Sequence, residues 1–350
     1  MKSVAIIKQS TLRPGGLEKY TIQLTKALEN RGSLVSLVSC PLKSRLSVSK
    51  IAEFDHYCGS YLKAYPHDIV LGMARTRKQT HIRAGNGIHA ANLQIRCKLE
   101  SFFKGLSFPL NPLHRLMLKI EQESFESPEL QMVFTNSHMV RTQILDFYQT
   151  DPKKIHVIHN GVEWKEMEND FQNWPRMRRE RDRYHFLFIG HNFQRKGLKL
   201  LLEALSLLNR SDFLLSVVGR DKNEAWFKEY AKKLQLKNNV SFYGRVSCTR
   251  PFYQSADALV IPSFYDPFAN VTVEALAMGL FVISSKMNGA HEILNRENGV
   301  VFENKDQLIC SLEKAMHIPK TWERSVKTRD SVKTLDFSHQ LAQLCDLCLL

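Results

Sequence analysis

Two carboxylates with seven residues between them, Asp266 and Glu274, are the most informative chemical feature of this 350-residue chain. A short apolar run, 259–262, comes just before them, and a Pro turn and a predicted helix start lie between them. In a parallel sheet, the loop that leaves the carboxyl end of a strand is where ligands bind. A helix that begins in such a loop presents free backbone N–H groups to an anion. The segment therefore predicts an anion site flanked by two acids.

The ligand of such a site needs groups that a carboxylate can bind. Acids beside an anion site are poor ligands for the anion itself, but each carboxylate can accept hydrogen bonds from two hydroxyl groups. A molecule with phosphates at its centre and a sugar at each end fits this arrangement. The residues thus favour a nucleotide sugar. The alternative is an ordinary turn followed by a helix with an acid in its first turn, where the helix dipole favours a carboxylate.

A second segment carries two adjacent cations. After the predicted strand 184–189, Gly190 opens a turn that leads through Arg195 and Lys196 into an amphipathic helix. Such a pair can bind a diphosphate, Arg through its planar fork and Lys as a point charge. Because the helix dipole disfavours cations at this end, we expect them to serve a ligand. The alternative is a solvated basic helix start.

The pattern around Asp266 and Glu274 resembles the Glu-x7-Glu signature of the retaining glycosyltransferases of family 4, which have the GT-B fold. Asp266 stands where that family most often has Glu, and Ala269 where it most often has Gly. The resemblance implies that Arg195 and Lys196 neutralise a leaving diphosphate. It also implies that Glu274 binds ribose hydroxyls and that Asp266 lies near the 3- and 4-hydroxyls of the donor sugar.

The same resemblance implies further contacts with the donor, from strand ends, a helix start and glycine turns where the backbone can approach a ligand. These positions are Gly15, Gly16, Gly190, Arg220, Val246, Asn270, Val271 and Thr272. His89 is expected to face the donor sugar, with a structural role as an equal alternative. The segment around it, 85–90, also matches a dinucleotide fingerprint. We reject that interpretation because 78–83 is too polar for a buried strand and no first βαβ unit precedes it.

Short apolar runs alternate with helical patterns almost throughout, which predicts parallel α/β layers. The expected fold is α/β and of GT-B type, with two doubly wound Rossmann-like domains that face a central cleft. The predicted domains are an acceptor-side domain over 1–165, a nucleotide-sugar domain over 166–322, and a helical segment over 323–350 that crosses back. The candidate strands are 4–7, 34–39, 68–71, 131–135, 154–158, 184–189, 213–218, 240–243, 258–261 and 281–284.

The formal net charge is +14, of which +10 falls in residues 1–165 and +4 in residues 166–350. This excess predicts a negatively charged partner on the first half, and nucleic acid, an anionic membrane or a phosphorylated acceptor would each satisfy it. The stretch 102–120 mixes aromatic and basic residues, so it suits either a membrane interface or packing on its own domain. Seven scattered Cys and no apolar run of about 20 residues predict a cytoplasmic protein.

Together these features predict a retaining glycosyltransferase that moves a hexose, expected to be glucose, from a UDP-sugar to a lipid-linked or lipopolysaccharide-core saccharide. The layout of 96–160 resembles the lipopolysaccharide core glucosyltransferases. No Asp-x-Asp occurs, so neither a metal nor a cofactor beyond the UDP-sugar is implied. Two alternatives stay open: a GT-B epimerase of UDP-N-acetylhexosamine and a basic nucleic-acid-binding protein.

Overall fold

The computed structural model describes residues 1–9, 16–40, 46–99, 107–173, 183–208 and 210–350. The predicted donor residue Gly15 and residues 102–106 of the aromatic and basic stretch lie outside these ranges. The chain divides into two compact units, one formed by 1–159 with 338–350 and the other by 160–337. Within the described ranges, none of the helices has the length and apolar character needed to span a bilayer.

The first unit contains a parallel sheet of six strands in the order β2-β1-β3-β4-β5-β6. Three of its inner strands, β1, β3 and β5, are apolar and mostly buried on both faces, as is typical of parallel sheets covered by helices. The strands are β1 (Ser3–Ile7), β2 (Leu34–Val38), β3 (Ile69–Gly72), β4 (His81–Arg83), β5 (Met132–Thr135) and β6 (Ile155–Val157).

Within the described residues, five helices connect these strands, and the starts of two of them follow from local sequence. The side chain of Asn111 accepts a hydrogen bond from the amide of Leu113, with Pro112 at the first helical position, and Ser137 caps the next helix through the amide of Val140. The helices are α1 (Gly16–Glu29), α2 (Ser47–Ala64), α3 (His89–Leu99), α4 (Pro112–Phe125) and α5 (His138–Phe147).

Strand β4 corrects the expectation that 78–83 is too polar for a buried strand. His81 is 1% exposed, its ring stacks on Phe134 with 6.3 Å between centroids, and its Nδ1 lies 2.9 Å from the hydroxyl of Thr80. Burial, with a smaller effect of the Lys2 charge, lowers the pKa of His81 to about 4. The imidazole is therefore neutral, and a neutral ring with a hydrogen-bond partner can be buried at little cost.

The second unit also contains a six-stranded parallel sheet, in the order β12-β11-β10-β7-β8-β9. This is the doubly wound order of a Rossmann fold, and its direction reverses between β7 and β10. Ligands of such sheets bind beyond the carboxyl ends of the strands at that reversal. The strands are β7 (Tyr184–Ile189), β8 (Phe213–Val218), β9 (Val240–Gly244), β10 (Ala258–Ile261), β11 (Phe281–Ser285) and β12 (Gly299–Phe302).

Helices cover both faces of this sheet, and successive residues of β7 show why. Phe186 and Phe188 belong to one buried apolar cluster, whereas Leu187 belongs to the cluster on the opposite face. The helices of this unit are α6 (Trp164–Gln172), α7 (Leu198–Ser206), α8 (Glu224–Lys233), α9 (Arg250–Ser255), α10 (Asn270–Ala277), α11 (Lys305–Met316) and α12 (Trp322–Asp330), with a short 3-10 helix at Gly289–Ile293. The last helix of the chain is α13 (Phe337–Cys348).

The two doubly wound parallel sheets confirm the predicted fold class. Each of the ten predicted strands is present and ends within about two residues of its predicted bounds. Strands β4 and β12 were not among them. The α13 residues from 338 onward belong to the first unit.

Glycines let the loops after β7, β8 and β10 touch one another. Gly197 has a φ of +76°, and a Cβ there would overlap the carbonyl oxygen of Pro262. Gly219 has a φ of +135°, and its Cβ would overlap the carbonyl oxygen of Gly190. Side chains disfavour such left-handed backbone, so glycine at these two positions sets the distance between neighbouring loops.

We expect Gly197→Ala to destabilise the second unit by at least about 2 kcal/mol, because it adds backbone strain and a steric overlap. All four Trp lie within 160–337, so tryptophan fluorescence during urea denaturation measures the unfolding of this unit. Gly244→Ala is the matched control, because Gly244 also has a positive φ, +65°, but has open space around it. If the two variants lost equal stability, the proposed close approach to Pro262 would be wrong.

Candidate active site

The loop after β7 is anchored so that its two cations are adjacent and fixed. Phe193 is fully buried, and its amide donates to the Asp221 carboxylate at 2.7 Å. Asn192, which has a φ of +58°, accepts from the Lys196 amide with its carbonyl at 3.0 Å and from the Arg195 amide with its side chain at 3.2 Å. The turn therefore places Arg195 and Lys196 beyond the carboxyl end of β7.

The loop after β10 packs directly against these cations. The amide of Phe264 donates to the carbonyl of Arg195 at 3.0 Å, and the Arg195 guanidinium donates to the carbonyl of Tyr265 at 2.7 Å. β7 and β10 are the neighbours at which the sheet reverses direction. The two motifs found in the sequence, 70 residues apart, thus meet at the edge where a doubly wound sheet binds its ligands.

The Lys196 ammonium and the Asp266 carboxylate form an ion pair. Both side chains are largely buried, at 13% and 10% exposure, and the Arg195 guanidinium lies 3.7 Å from the same carboxylate. The Lys196 side chain runs across Gly190, where a Cβ would lie only 3.1 Å from its Cγ. Two cations and one carboxylate leave this cluster with one net positive charge, which suits an anionic ligand.

Helix α10 begins in the same loop and offers backbone donors. Its first two amides, those of Asn270 and Val271, have no acceptor within the helix, as in any α-helix. Asn270 is exposed and Val271 is half-buried. Thr272, by contrast, is fully buried, and its amide donates to the carbonyl of Ala269 at 2.9 Å. Of the three amides predicted to bind the donor, those of Asn270 and Val271 are the ones that this geometry presents.

Glu274 lies one turn further along α10 and has a partner that sequence analysis did not identify. The hydroxyl of Tyr253, on α9, donates to Glu274 Oε2 at 2.6 Å. Burial raises the pKa of Glu274 above its ordinary value, while the Tyr253 hydrogen bond and the Arg250 charge act in the opposite direction. Arg250 itself is paired with Glu166 at 3.0 Å and Asp170 at 3.2 Å on α6. Tyr253 therefore fixes one carboxylate oxygen and leaves Oε1 for a ligand.

The remaining predicted donor contacts of the second unit lie along the same edge of the sheet. Arg220 is exposed, and its amide donates to Nδ1 of His191 at 3.0 Å. Val246 is half-buried and packs against the apolar cluster beneath α10. The amide of Gly219 donates to the carbonyl of Gly244 at 2.8 Å, which joins the ends of β8 and β9.

His89 lies in the first unit, where it begins α3. It is 7% exposed, and its Nε2 lies 3.0 Å from Nδ1 of His114. Burial, chiefly, with the Arg75 charge and smaller effects of His114 and Arg96, lowers the pKa of His89 to about 4. The ring is therefore neutral near pH 7, and one of the two imidazoles must donate to the other. The expected contact of His89 with a donor sugar stays a prediction.

Glu121, which sequence analysis did not identify, holds the start of α3. It is 3% exposed and accepts hydrogen bonds from the His89 amide at 2.6 Å and from the Tyr148 hydroxyl at 2.8 Å. The Arg75 guanidinium pairs with it at 2.6 Å. A carboxylate at this end of a helix is favoured by the dipole and by the free amides.

Gly16, which was also predicted to contact the donor, is the first residue of α1.

A cavity of about 220 Å³ lies in the first unit at the carboxyl ends of β1, β3 and β4. Its walls are largely apolar, with Arg75, Gln79 and Glu121 among the polar residues. The side-chain oxygen of Gln79 is buried there and has no hydrogen-bond partner among the described residues. This sheet reverses direction between β1 and β3, so the cavity lies at the edge where a ligand is expected.

Comparison with known proteins decides the family. Residues 170–330 match the model of "Glycosyl transferases group 1", and residues 64–165 match that of "Glycosyltransferase Family 4". The chain belongs to the glycosyltransferases. The two matched regions together contain the candidate residues His89, Arg195, Lys196, Asp266 and Glu274.

Among relatives of this glycosyltransferase, the lipopolysaccharide glucosyltransferase WaaG of Escherichia coli is 26% identical over 336 residues, covering 86% of each chain. The O-antigen chain mannosyltransferase RfbU of Salmonella typhimurium is 27% identical over 231 residues, covering 65% of this chain and 58% of the relative. The crystal structure of WaaG superposes with a TM-score of 0.80 at 22% identity over 99% of both chains. The crystal structure of Anabaena HepE in complex with UDP and glucose superposes with a TM-score of 0.68 at 16% sequence identity, over the full length of both chains.

We expect Tyr253→Phe to destabilise the glycosyltransferase more at high pH than at low pH. A raised pKa means that the folded state binds the Glu274 proton more tightly than the unfolded chain does, so stability falls as pH rises through the ordinary Glu range. Removing the hydroxyl withdraws the hydrogen bond that counteracts this effect. The expected loss is about 1.5–3 kcal/mol near pH 8, where the carboxylate is charged, and about 1 kcal/mol near pH 4.

Urea denaturation at the two pH values, followed by tryptophan fluorescence, measures this difference. Tyr243→Phe is the control, because Tyr243 is 50% exposed and its ring keeps the edge-to-face contact with Phe252. It should change stability by less than about 0.5 kcal/mol. An equal loss at both pH values for Tyr253→Phe would show that the hydroxyl does not act on the charged form of Glu274.

Proposed function

We propose that this glycosyltransferase moves a hexose from a UDP-sugar to a saccharide acceptor with retention of the anomeric configuration. One observation carries the proposal: Arg195, Lys196 and Asp266 cluster beside the free amides of α10, at the reversal point of the second sheet. Cations and amides suit a diphosphate. Carboxylates on either side suit the hydroxyls of the transferred sugar and of ribose.

In the proposed reaction the bond from the anomeric carbon to the diphosphate oxygen breaks while the acceptor oxygen bonds to the same face of the sugar. Negative charge then develops on the leaving UDP, where Arg195, Lys196 and the first α10 amides stabilise it. The leaving phosphate takes the proton of the acceptor hydroxyl, so no protein base is needed. The two cations supply the positive charge that a metal ion supplies in other transferases.

We assign glucose as the transferred sugar and a lipid-linked or lipopolysaccharide-core saccharide as the acceptor. The support is the likeness over 86% of the chain to a relative named as a lipopolysaccharide glucosyltransferase. The charge of +10 in residues 1–165 suits a phosphorylated acceptor or an anionic membrane surface. The cavity of the first unit is the proposed place of the acceptor. The comparisons give no support to an epimerase or to a nucleic-acid-binding protein.

The donor assignment predicts that UDP-glucose is turned over faster than UDP-galactose, UDP-N-acetylglucosamine or GDP-mannose. The assay measures release of UDP or GDP, with and without a phosphorylated lipopolysaccharide-core acceptor, and mass spectrometry measures the gain of one hexose on that acceptor. Glu274→Gln should reduce transfer at least about a hundredfold, because an amide replaces the carboxylate that binds ribose. Faster release from GDP-mannose would overturn the donor assignment, and near-normal transfer by Glu274→Gln would overturn its role.

The charge cluster predicts opposite effects on UDP binding for its two partners. Lys196→Gln should weaken UDP binding by about ten- to a hundredfold, because it removes one charge-assisted contact. Asp266→Asn should strengthen UDP binding, because it frees the ammonium, yet lower the rate of transfer, because it removes a contact with the sugar. Isothermal titration calorimetry with UDP measures both affinities.

Lys199→Gln is the matched control for these variants, because Lys199 lies on the first turn of α7 and its side chain is 55% exposed and pairs with Glu203. It should bind UDP like the wild type. If Lys196→Gln and Lys199→Gln bound UDP equally well, the diphosphate would not lie beside Lys196.

A further inference from the structure

Asn288 is a fully buried amide between β11 and the short 3-10 helix, and its side chain uses its whole hydrogen-bonding capacity. Its Oδ1 accepts from the amides of Ala269 at 3.0 Å and Ala290 at 3.2 Å. Its Nδ2 donates to the hydroxyls of Ser284 at 3.0 Å and Thr272 at 3.3 Å. Two donors and two acceptor sites are all that an amide has, so Asn288 has none left for a ligand.

The backbone on either side of Asn288 holds Asp266. The Asp266 amide donates to the carbonyl of Met287 at 3.0 Å, and the Gly289 amide donates to the carbonyl of Asp266 at 2.8 Å. Asn288 and Asp266 form an isolated parallel bridge. The residue that carries the proposed sugar contact is therefore fixed by the same short segment that carries the buried amide.

The side chain of Asn288 fixes the other half of the donor site. Ala269 is the residue just before α10 and cannot cap the helix with its methyl group. The backbone amide of Ala269 donates to Oδ1 of Asn288, and Nδ2 of Asn288 donates to the hydroxyl of Thr272 in the first turn of the helix. Asn288 thus determines where the next two amides, those of Asn270 and Val271, are presented.

We propose that Asn288 is a positioning residue for transfer: it holds the Asp266 carboxylate and the first α10 amides at one fixed distance from each other. The proposal rests on the function proposed above. A sugar and its diphosphate are bound by these two groups at the same time, so a shift of about 1 Å between them lowers the rate steeply. Asn288 acts through Asp266 and α10 and does not touch the substrate.

Asn288→Ala and Asn288→Asp test this role. Asn288→Ala removes all four contacts and should lower kcat at least about tenfold. Asn288→Asp keeps both acceptor positions but brings a negative charge close to the diphosphate, so it should bind UDP more weakly near pH 8. Burial raises the pKa of such a carboxyl. Its protonated form keeps an acceptor oxygen and supplies one hydroxyl donor in place of the two N–H donors of the amide, so turnover relative to wild type should recover in part as pH falls from about 8 to about 6.

Asn298→Ala is the matched control. Asn298 is also fully buried in the second unit, where its side chain accepts from the Asn295 amide at 2.7 Å and donates to the Ser331 hydroxyl at 2.9 Å. We expect it to lose as much thermal stability as Asn288→Ala while keeping the wild-type kcat and UDP affinity. If the two Ala variants lost turnover equally, or if Asn288→Asp showed no recovery at low pH, Asn288 would have a structural role only.

The wild type separates the failure of this proposal from the failure of the proposed function. When the wild type releases UDP from a donor, the comparison of Asn288 with Asn298 tests the positioning role alone. A wild-type protein that neither binds UDP nor releases it from any donor would overturn both.

Discussion

The contact between the Lys196 ammonium and the Asp266 carboxylate is the interaction on which the proposed donor site depends. It joins the two loops that leave β7 and β10, and both charges are largely removed from water. Burying two charges costs more free energy than their attraction alone returns unless further polar contacts support them. Here the Arg195 guanidinium provides such a contact, because it lies 3.7 Å from the Asp266 carboxylate and is itself held by the carbonyl of Tyr265. The result is a cluster with an excess positive charge, which a diphosphate can satisfy.

The topology of the second sheet explains why these particular loops meet. In the order β12-β11-β10-β7-β8-β9, the helices that follow β7 and β10 lie on opposite faces of the sheet. The loops that leave the two neighbouring strands therefore start side by side and contact each other before their helices turn to opposite faces. Gly197 and Gly219 then let the backbones of neighbouring loops come close without the obstruction of a Cβ. The ion pair and the glycines are therefore both found in loops at the carboxyl edge of the sheet, where the strand order reverses.

Apolar runs were enough to predict ten of the twelve strands found in the described part of the chain, because a buried parallel strand consists mainly of branched and aromatic residues. β4 was missed because residue type does not show that His81 is neutral and stacked on Phe134. At the site, local spacing indicated Arg195, Lys196, Asp266 and Glu274. It did not indicate their partners, because Lys196 and Asp266 are 70 residues apart and Tyr253 and Glu274 are 21 apart. Asn288 and Glu121 were missed for the same reason, since only the folded chain shows which backbone amides they accept from.

Residue 266 is aspartate, where the family that the sequence resembles most often has glutamate. The contacts of its backbone and side chain indicate what the shorter residue changes. Its backbone is held on both sides by Met287 and Gly289, so the loop cannot advance to replace the missing methylene. The shorter side chain ends on Lys196, so its carboxylate extends one methylene less far from this fixed backbone than a glutamate would. We therefore expect position 266 to select among donor sugars, whereas the cations and amides that stabilise the leaving group serve any of them.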